Sequence, residues 1–445
     1  MFLKLFNTIF FTNLFFGIGI CIVLLFILSF IFPQLLPLAY LLISLFTLIT
    51  CIDIVLLYQN KNGIKAYRTM PEKLSNSDFN DIIINCKNFY SFNIDIKIID
   101  EIPFQFQKRD FEINGNIKSY ENVNFHYQLK PNKRGEYHFG KINIFCSNFI
   151  GLVSRKYSIQ QSKFVPVFPS YIQMRQYEFM AFSPHLTQAG FKKIRKIGHS
   201  LEFEKIKEYV FGDDTRTLNW KASARKGALM VNQMQDEKSQ PVYALIDKGR
   251  VMKMPFLGLS LLDYSINSTL AIANIVLKKG DKFGLITYNN KISTIVKAEN
   301  KNHQLKIINE NLYNQKTKWL ESDIEKLYTT VRNNINQRSL LLWYSNFETL
   351  DAMRKSLPII HLLNKSHLVV CIIFKNTEFD KFLNEPLNNV RQAYYKGVAE
   401  KLNLDKKQIV KELRQHGVET IYTAPENLSI ESINLYLSIK ASGRL

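Results

Sequence analysis

Residues 241–250 read PVYALIDKGR: an apolar run from Val242 to Ile246, then Asp247, Lys248, Gly249 and Arg250. A run this short, bounded by Pro241 and Gly249, reads as a buried strand ending in a polar loop. Leu257 to Lys278 then carries helical spacing with an apolar face and stops at Gly280. FGLITY (283–288) reads as a second strand, and helices are predicted over 301–314 and 322–336. LLLWY (340–344), LVVCIIF (368–374) and VETIY (418–422) are further apolar strands, with helical stretches between and after them. Buried strands alternating with amphipathic helices predict an α/β doubly wound, mostly parallel sheet. Such sheets take ligands at the carboxyl ends of their strands, which directs attention to the loops after Ile246, Tyr288 and Tyr344.

Upstream the period changes. Residues 79–165 hold segments that alternate or run apolar, among them 81–84, 94–99, 123–129 and 142–145, with Asn, Gly and Pro between them. That pattern predicts a small antiparallel β-sandwich. Pro131 to Tyr137 reads as a turn leading into a further strand. Residues 166–236, poor in long apolar runs and rich in charge, read as a connecting region.

No charged residue stands between Leu5 and Ile52, and PQLLP (33–37) interrupts the run near its middle. This is too long for one span and predicts a two-helix transmembrane hairpin, roughly 9–32 and 36–57. A secretory signal would have a shorter apolar region closed by small residues. Lys4 before the first span, with Lys61, Lys65 and Arg68 after the second, predicts that both ends face the cytoplasm. The chain thus divides into a hairpin (1–60), a β-sandwich-like domain (61–165), the connecting region (166–236) and the α/β domain (237–445), anchored in the cytoplasmic membrane.

With 445 residues and 46% apolar content the chain can build several cores. Its formal charge of +20 is spread widely and interleaved with acids, which suits a surface facing anionic membrane lipid. No nucleic-acid reader motif accompanies it, and no nucleic acid is expected as a partner. Cys21 and Cys51 sit in the predicted spans; Cys86, Cys146 and Cys371 are far apart and read as plain buried thiols. No phosphate-binding GxxxxGK[ST] loop occurs, so any ATP hydrolysis would come from another protein. No cofactor is implied.

The densest charge lies in FGDDTRTLNWKASARKGALMVNQMQ (211–235). Gly212, Asp213 and Asp214 form a turn, followed by Arg216, Trp220, Lys221 and Arg225. Paired carboxylates can divide acid and base roles. Adjacent ones seldom converge on one atom, however, and no nucleophile or metal-ligand cluster stands near; His199 is isolated. The arginines and the tryptophan instead suit either a bracket between domains or a docking surface, where Arg and Trp most often dominate binding.

Asp247, at the end of the first α/β strand, resembles the start of the metal-ion-dependent adhesion site of von Willebrand factor A domains. There an Asp-x-Ser-x-Ser loop meets a distal Thr and Asp around Mg²⁺, a cation that wants hard oxygen ligands. Here Gly249 and Val251 occupy both serine positions, Asn346 stands for the distal Asp, and Ser322 or Asp323 lies near the expected Thr. The likeness carries over to Asp247 alone, as the remnant of a degraded site; capping of the following helix or pairing with Arg250 is the plainer role.

The hairpin, a β-rich segment with LKPNKRGEYHFG (129–140) and SNFIGL (147–152), the block 199–233 and a sheet beginning ALIDKGR (244–250) together resemble the bacterial DUF58 family over most of the chain, GDDTRTLNWKASAR (212–225) being its most specific run. The resemblance implies a von Willebrand factor A-like fold for the last domain, partnership with a MoxR-type AAA+ ATPase, and work in assembly, maturation or stress at the membrane. The expectation is a non-enzymatic membrane adaptor that binds proteins; the alternative is a structural scaffold without an ATPase.

Overall fold

The computed structural model describes residues 8–182, 202–210, 215–235, 239–386 and 389–444, which form two compact units divided after Phe168.

The first unit begins with β1 (Ile9–Phe11), α1 (Asn13–Ile31), a 3-10 turn at Pro33–Leu35 and α2 (Leu36–Tyr58). The two helices are long and apolar enough to cross a membrane. The apolar run does not start as helix, however. Ile9 to Phe11 pair antiparallel with Val153–Arg155, because Thr12 ends the strand by capping α1: its hydroxyl accepts from the Phe15 amide and donates to the Gly151 carbonyl at 2.6 Å.

Next come β2 (Ile64–Thr69), β3 (Leu74–Ser75), β4 (Asn80–Asn88), β5 (Ile94–Asp100), β6 (Ile113–Ile117), β7 (Asn122–Leu129), β8 (Gly135–Phe139), β9 (Ile142–Ser147), β10 (Val153–Ile159) and β11 (Lys163–Phe168). They make an antiparallel sheet β1-β10-β9-β5-β6, a second antiparallel sheet β2-β4-β7, and a small sheet β3-β11-β8. Alternation along β5 turns Ile94, Ile96 and Ile98 inward against Ile84 and Cys86 of β4, so the two larger sheets share one core. The sandwich also holds a fully buried ion pair, Arg68 with Asp100, to which the Tyr127 hydroxyl donates.

The second unit comprises α3 (Tyr171–Phe182), a hairpin of β12 (Glu202–Glu208) and β13 (Met230–Gln235) enclosing α4 (Trp220–Lys226), and the α/β body. The body runs β14 (Pro241–Asp247), a small hairpin β15–β16 (Pro255–Phe256, Leu259–Ser260), α5 (Leu261–Lys278), β17 (Lys282–Tyr288), β18 (Ile292–Glu299), α6 (Gln304–Tyr313), α7 (Ile324–Asn334), β19 (Leu340–Tyr344), α8 (Leu350–Ser366), β20 (Leu368–Phe374), α9 (Thr377–Asn384), α10 (Val390–Gln415), β21 (Glu419–Thr423) and α11 (Leu428–Ala441). Sheet order is β18-β17-β14-β19-β20-β21, parallel except for β18 at the edge. Every residue of β14 is buried: Val242, Ala244 and Ile246 face α5 and α11, while Tyr243 and Leu245 face the side of α7, α8 and α10. Residues 171–182, within the predicted connecting region, pack as α3 on α5, where Glu178 accepts from Asn274 at 2.7 Å and pairs with Lys278. Helices between parallel strands place the carboxyl ends of β14, β19, β20 and β21 on one edge, and that edge carries the candidate site.

Candidate functional site

Asp247 ends the central strand and is 2% exposed. Its Oδ1 accepts from the Gly249 amide at 2.7 Å and from the Ser322 hydroxyl; its Oδ2 accepts from the Ser345 hydroxyl at 2.8 Å. Burial raises its pKa, and these three donors oppose the shift. Asp247 therefore ties the first turn after β14 to the loops before α7 and after β19. It does not pair with Arg250, whose guanidinium faces Glu321 at 3.4 Å and Glu348 at 3.9 Å.

This set does not fit a magnesium ion. Gly249 offers no hydroxyl, and a Cβ there would lie 2.3 Å from Ser322 Oγ. Val251 is apolar, and Asn346 Oδ1 already accepts the Lys406 ammonium at 2.6 Å. Asp247 is the one carboxylate bonded within the cluster, too little oxygen charge for a cation that demands near-octahedral hard ligands. Among the described residues, no group of three or more His, Cys, Asp or Glu side chains is placed to hold a metal.

A cation reaches this edge from the protein itself. Lys406 extends from α10, donating to Asn346 Oδ1 and to the Phe347 carbonyl. Lys248, the first residue after β14, donates to Gln315 Oε1 at 2.8 Å. Burial lowers the pKa of both to about 8; Lys318 adds to the effect at Lys248, and Glu348 offsets it at Lys406. Lys406 opens onto a pocket of about 820 Å³ between the loops after β14, β19 and β20, with Trp319, Phe374, Phe379, Leu402 and Tyr422 among its walls. Its charged lining is Arg250, Lys253, Lys375 and Lys406 against a single acid, Glu348.

The signature block forms a second feature. Asn219 caps α4 by accepting from the Ala222 amide at 3.0 Å, and its Nδ2 donates to Asn232 Oδ1 on β13 at 2.8 Å. Ser223 Oγ accepts from the Met230 amide at 2.8 Å, and Gly227 ends the helix at φ +70°. With its polar residues tied to β13, α4 turns Trp220 outward, 70% exposed, beside exposed Lys221 and Arg225. Lys226 pairs with Glu208 at 3.6 Å. Arg216 belongs to the 3-10 turn Thr215–Thr217. Gly212, Asp213 and Asp214 lie outside the described residues. Asn219 and Ser223 were not singled out in the sequence, although an Asn immediately before a helix start is a legible cap signal.

A family model described as "Protein of unknown function DUF58" matches residues 205–380, from β12 to α9. Residues 205–380 are thus DUF58-like in sequence. That DUF58 stretch contains the signature hairpin, Asp247 and the strands β14 to β20. The uncharacterized protein YeaD of Bacillus subtilis (strain 168) is 24% identical over 161 residues, which are 36% of this chain and 37% of YeaD. The match therefore spans little more than a third of that relative's length. Among solved structures, the conserved hypothetical protein BatB from Bacteroides thetaiotaomicron aligns with 46% of this chain and 99% of its own, at 11% identity and a TM-score of 0.30. The ASH/PapD-like domain of human CEP192 aligns with 24% of this chain and 87% of its own, at 10% identity and a TM-score of 0.19.

Proposed function

We propose that this chain is a non-enzymatic, membrane-anchored adaptor that binds proteins at the carboxyl edge of its α/β unit. The observation that carries the reading is the open pocket there: its walls are largely apolar, its charges are mostly cationic, and the loops that a catalytic or metal site would use are occupied by internal hydrogen bonds. Parallel sheets present ligands at this edge. The outward Trp220 with Lys221 and Arg225 supplies a second contact of the kind that concentrates binding energy.

In this reading α1 and α2 cross the cytoplasmic membrane, consistent with the exposure of large apolar side chains such as Phe30, Ile31, Val55 and Leu41 along them. Lys61, Lys65 and Arg68 after α2 support a cytoplasmic position for the folded units. The sheet, with an aspartate ending its central strand, is taken as von Willebrand factor A-like. The second protein is a MoxR-type AAA+ ATPase, to which this chain presents membrane or envelope proteins during assembly, maturation or stress.

The test is affinity purification from solubilised membranes, wild type beside Trp220→Ala/Arg225→Ala, with and without ATP. An AAA+ ATPase retained by wild type and lost from the folded variant supports the adaptor. Its absence from both supports a structural scaffold without an ATPase. Engagement should also survive EDTA; loss on chelation that Mg²⁺ restores without nucleotide overturns the metal-independent reading.

A further inference from the structure

We infer that the carboxyl-edge pocket receives an acidic peptide segment of a partner protein, with one Glu or Asp carboxylate seated on the Lys406 ammonium and the flanking apolar residues packed against Trp319, Phe374, Phe379 and Leu402. The inference rests on the protein-binding reading above and specifies its ligand.

Charge complementarity is the first argument. An ammonium has three N–H donors, and Lys406 directs two of them to neutral oxygens, Asn346 Oδ1 and the Phe347 carbonyl. Among the described residues no carboxylate lies within 4 Å of its Nζ, and Glu348, the one acid of the pocket lining, stands with Arg250 instead. A partly buried cation with neutral partners gains most from an incoming carboxylate, because the surroundings that penalise the lone charge strengthen the pair. Burial lowers the pKa of Lys406, and Glu348 offsets only part of that shift.

Extent is the second argument, and it favours a peptide over a small amphiphile. Trp319 is 73% exposed and continues the wall out of the cavity, with Lys253 Nζ held 3.8 Å over its ring. Along α10, Tyr394 and Val398 stand exposed at four-residue steps before Leu402, which lines the pocket. Apolar contact and cations therefore extend well beyond one cavity, as a chain with alternating acidic and apolar side chains requires.

The full chain in detergent micelles is titrated with fluorescein-labelled peptides that carry a central Glu flanked by Phe, Leu, Ile or Trp, and with the same peptides bearing Gln. The Glu peptides should bind at least about tenfold more tightly than their Gln counterparts. Lys406→Met should erase that difference, and Trp319→Ala should weaken both peptides together. Should Lys406→Met fail to fold, carbodiimide coupling on wild type gives an independent readout: the peptide Glu should form an amide with Lys406, located by mass spectrometry. Equal binding of Glu and Gln peptides, amides confined to other lysines, or no peptide binding overturns the inference. If an ATPase still copurifies in that case, the adaptor reading stands alone; if peptides bind at Lys406 and no ATPase copurifies, the inference stands and the ATPase partnership falls.

Discussion

Asp53 Oδ2 accepts the backbone N–H of Leu152 at 2.9 Å, joining the second apolar helix to the loop between β9 and β10. The same oxygen accepts from Val153 at 2.9 Å, and Asn148 Oδ1 closes the turn by accepting from Ile150 at 2.8 Å. Arg155, next on the same strand, donates to the Leu57 and Asn60 carbonyls at 2.6 and 2.7 Å, satisfying the end of α2. The SNFIGL turn is thus the seat of the hairpin on the sandwich. Replacing Asp53 by Ala strands two buried amides, each costing about 1–3 kcal/mol. The variant should unfold at a clearly lower temperature in detergent and expose the β9–β10 loop to protease; unchanged resistance would show that the clamp contributes nothing.

Trp220 and its neighbour Asn219 separate stability from binding. Asn219→Ala removes the cap of α4 and its tie to β13, at a cost of about 1 kcal/mol. Trp220→Ala deletes an exposed ring and should leave the thermal midpoint within about 0.5 kcal/mol equivalent of wild type while reducing copurification of binding proteins. A large loss of stability from Trp220→Ala would instead mark an internal bracket.

Lys248 and Lys406 make a pH prediction. In the folded chain both release their protons near pH 8, against an ordinary value of 10.5. Between those values the unfolded chain binds more protons, so stability increases as pH rises through that window. Buried tyrosines with raised pKa values, such as Tyr264, oppose the trend once pH passes about 10. Thermal midpoints should therefore climb from about pH 7.5 to about pH 9.5, and Lys406→Met should flatten the climb. A midpoint that falls over this interval in wild type contradicts the assignment.

Gly249→Ser restores one hydroxyl of the adhesion-site pattern. Its Cβ would meet Ser322 Oγ at 2.3 Å, so the substitution should destabilise the unit by about 1–3 kcal/mol. The melting midpoint of the variant should not respond to millimolar Mg²⁺. A magnesium-dependent rise would mean that the Asp247 cluster can be opened to a metal after all.

Periodicity made much of this legible. The strands over 242–246, 283–288, 340–344 and 368–374 were readable because side chains buried on both faces leave an unbroken apolar run. β1 was not, since Ile9–Phe11 merges into an apolar helix and only pairing with β10 makes it a strand. Likewise α3 has little periodic signal, and its place on α5 depends on contacts such as Glu178 with Asn274.

From the sequence by itself came the two apolar helices, the β-rich segment, the parallel sheet with Asp247 at its edge and the DUF58 signature, all properties of local pattern. Only the tertiary structure decided which polar groups meet. Asp53 with Leu152, Ser322 and Ser345 with Asp247, and Lys406 with Asn346 are separated by 99, 75, 98 and 60 residues. Hydrogen bonds act over a few ångströms in space and leave no period along the chain, so the closure of the adhesion-like loop and the cationic pocket beside it emerge only when the strands are laid side by side.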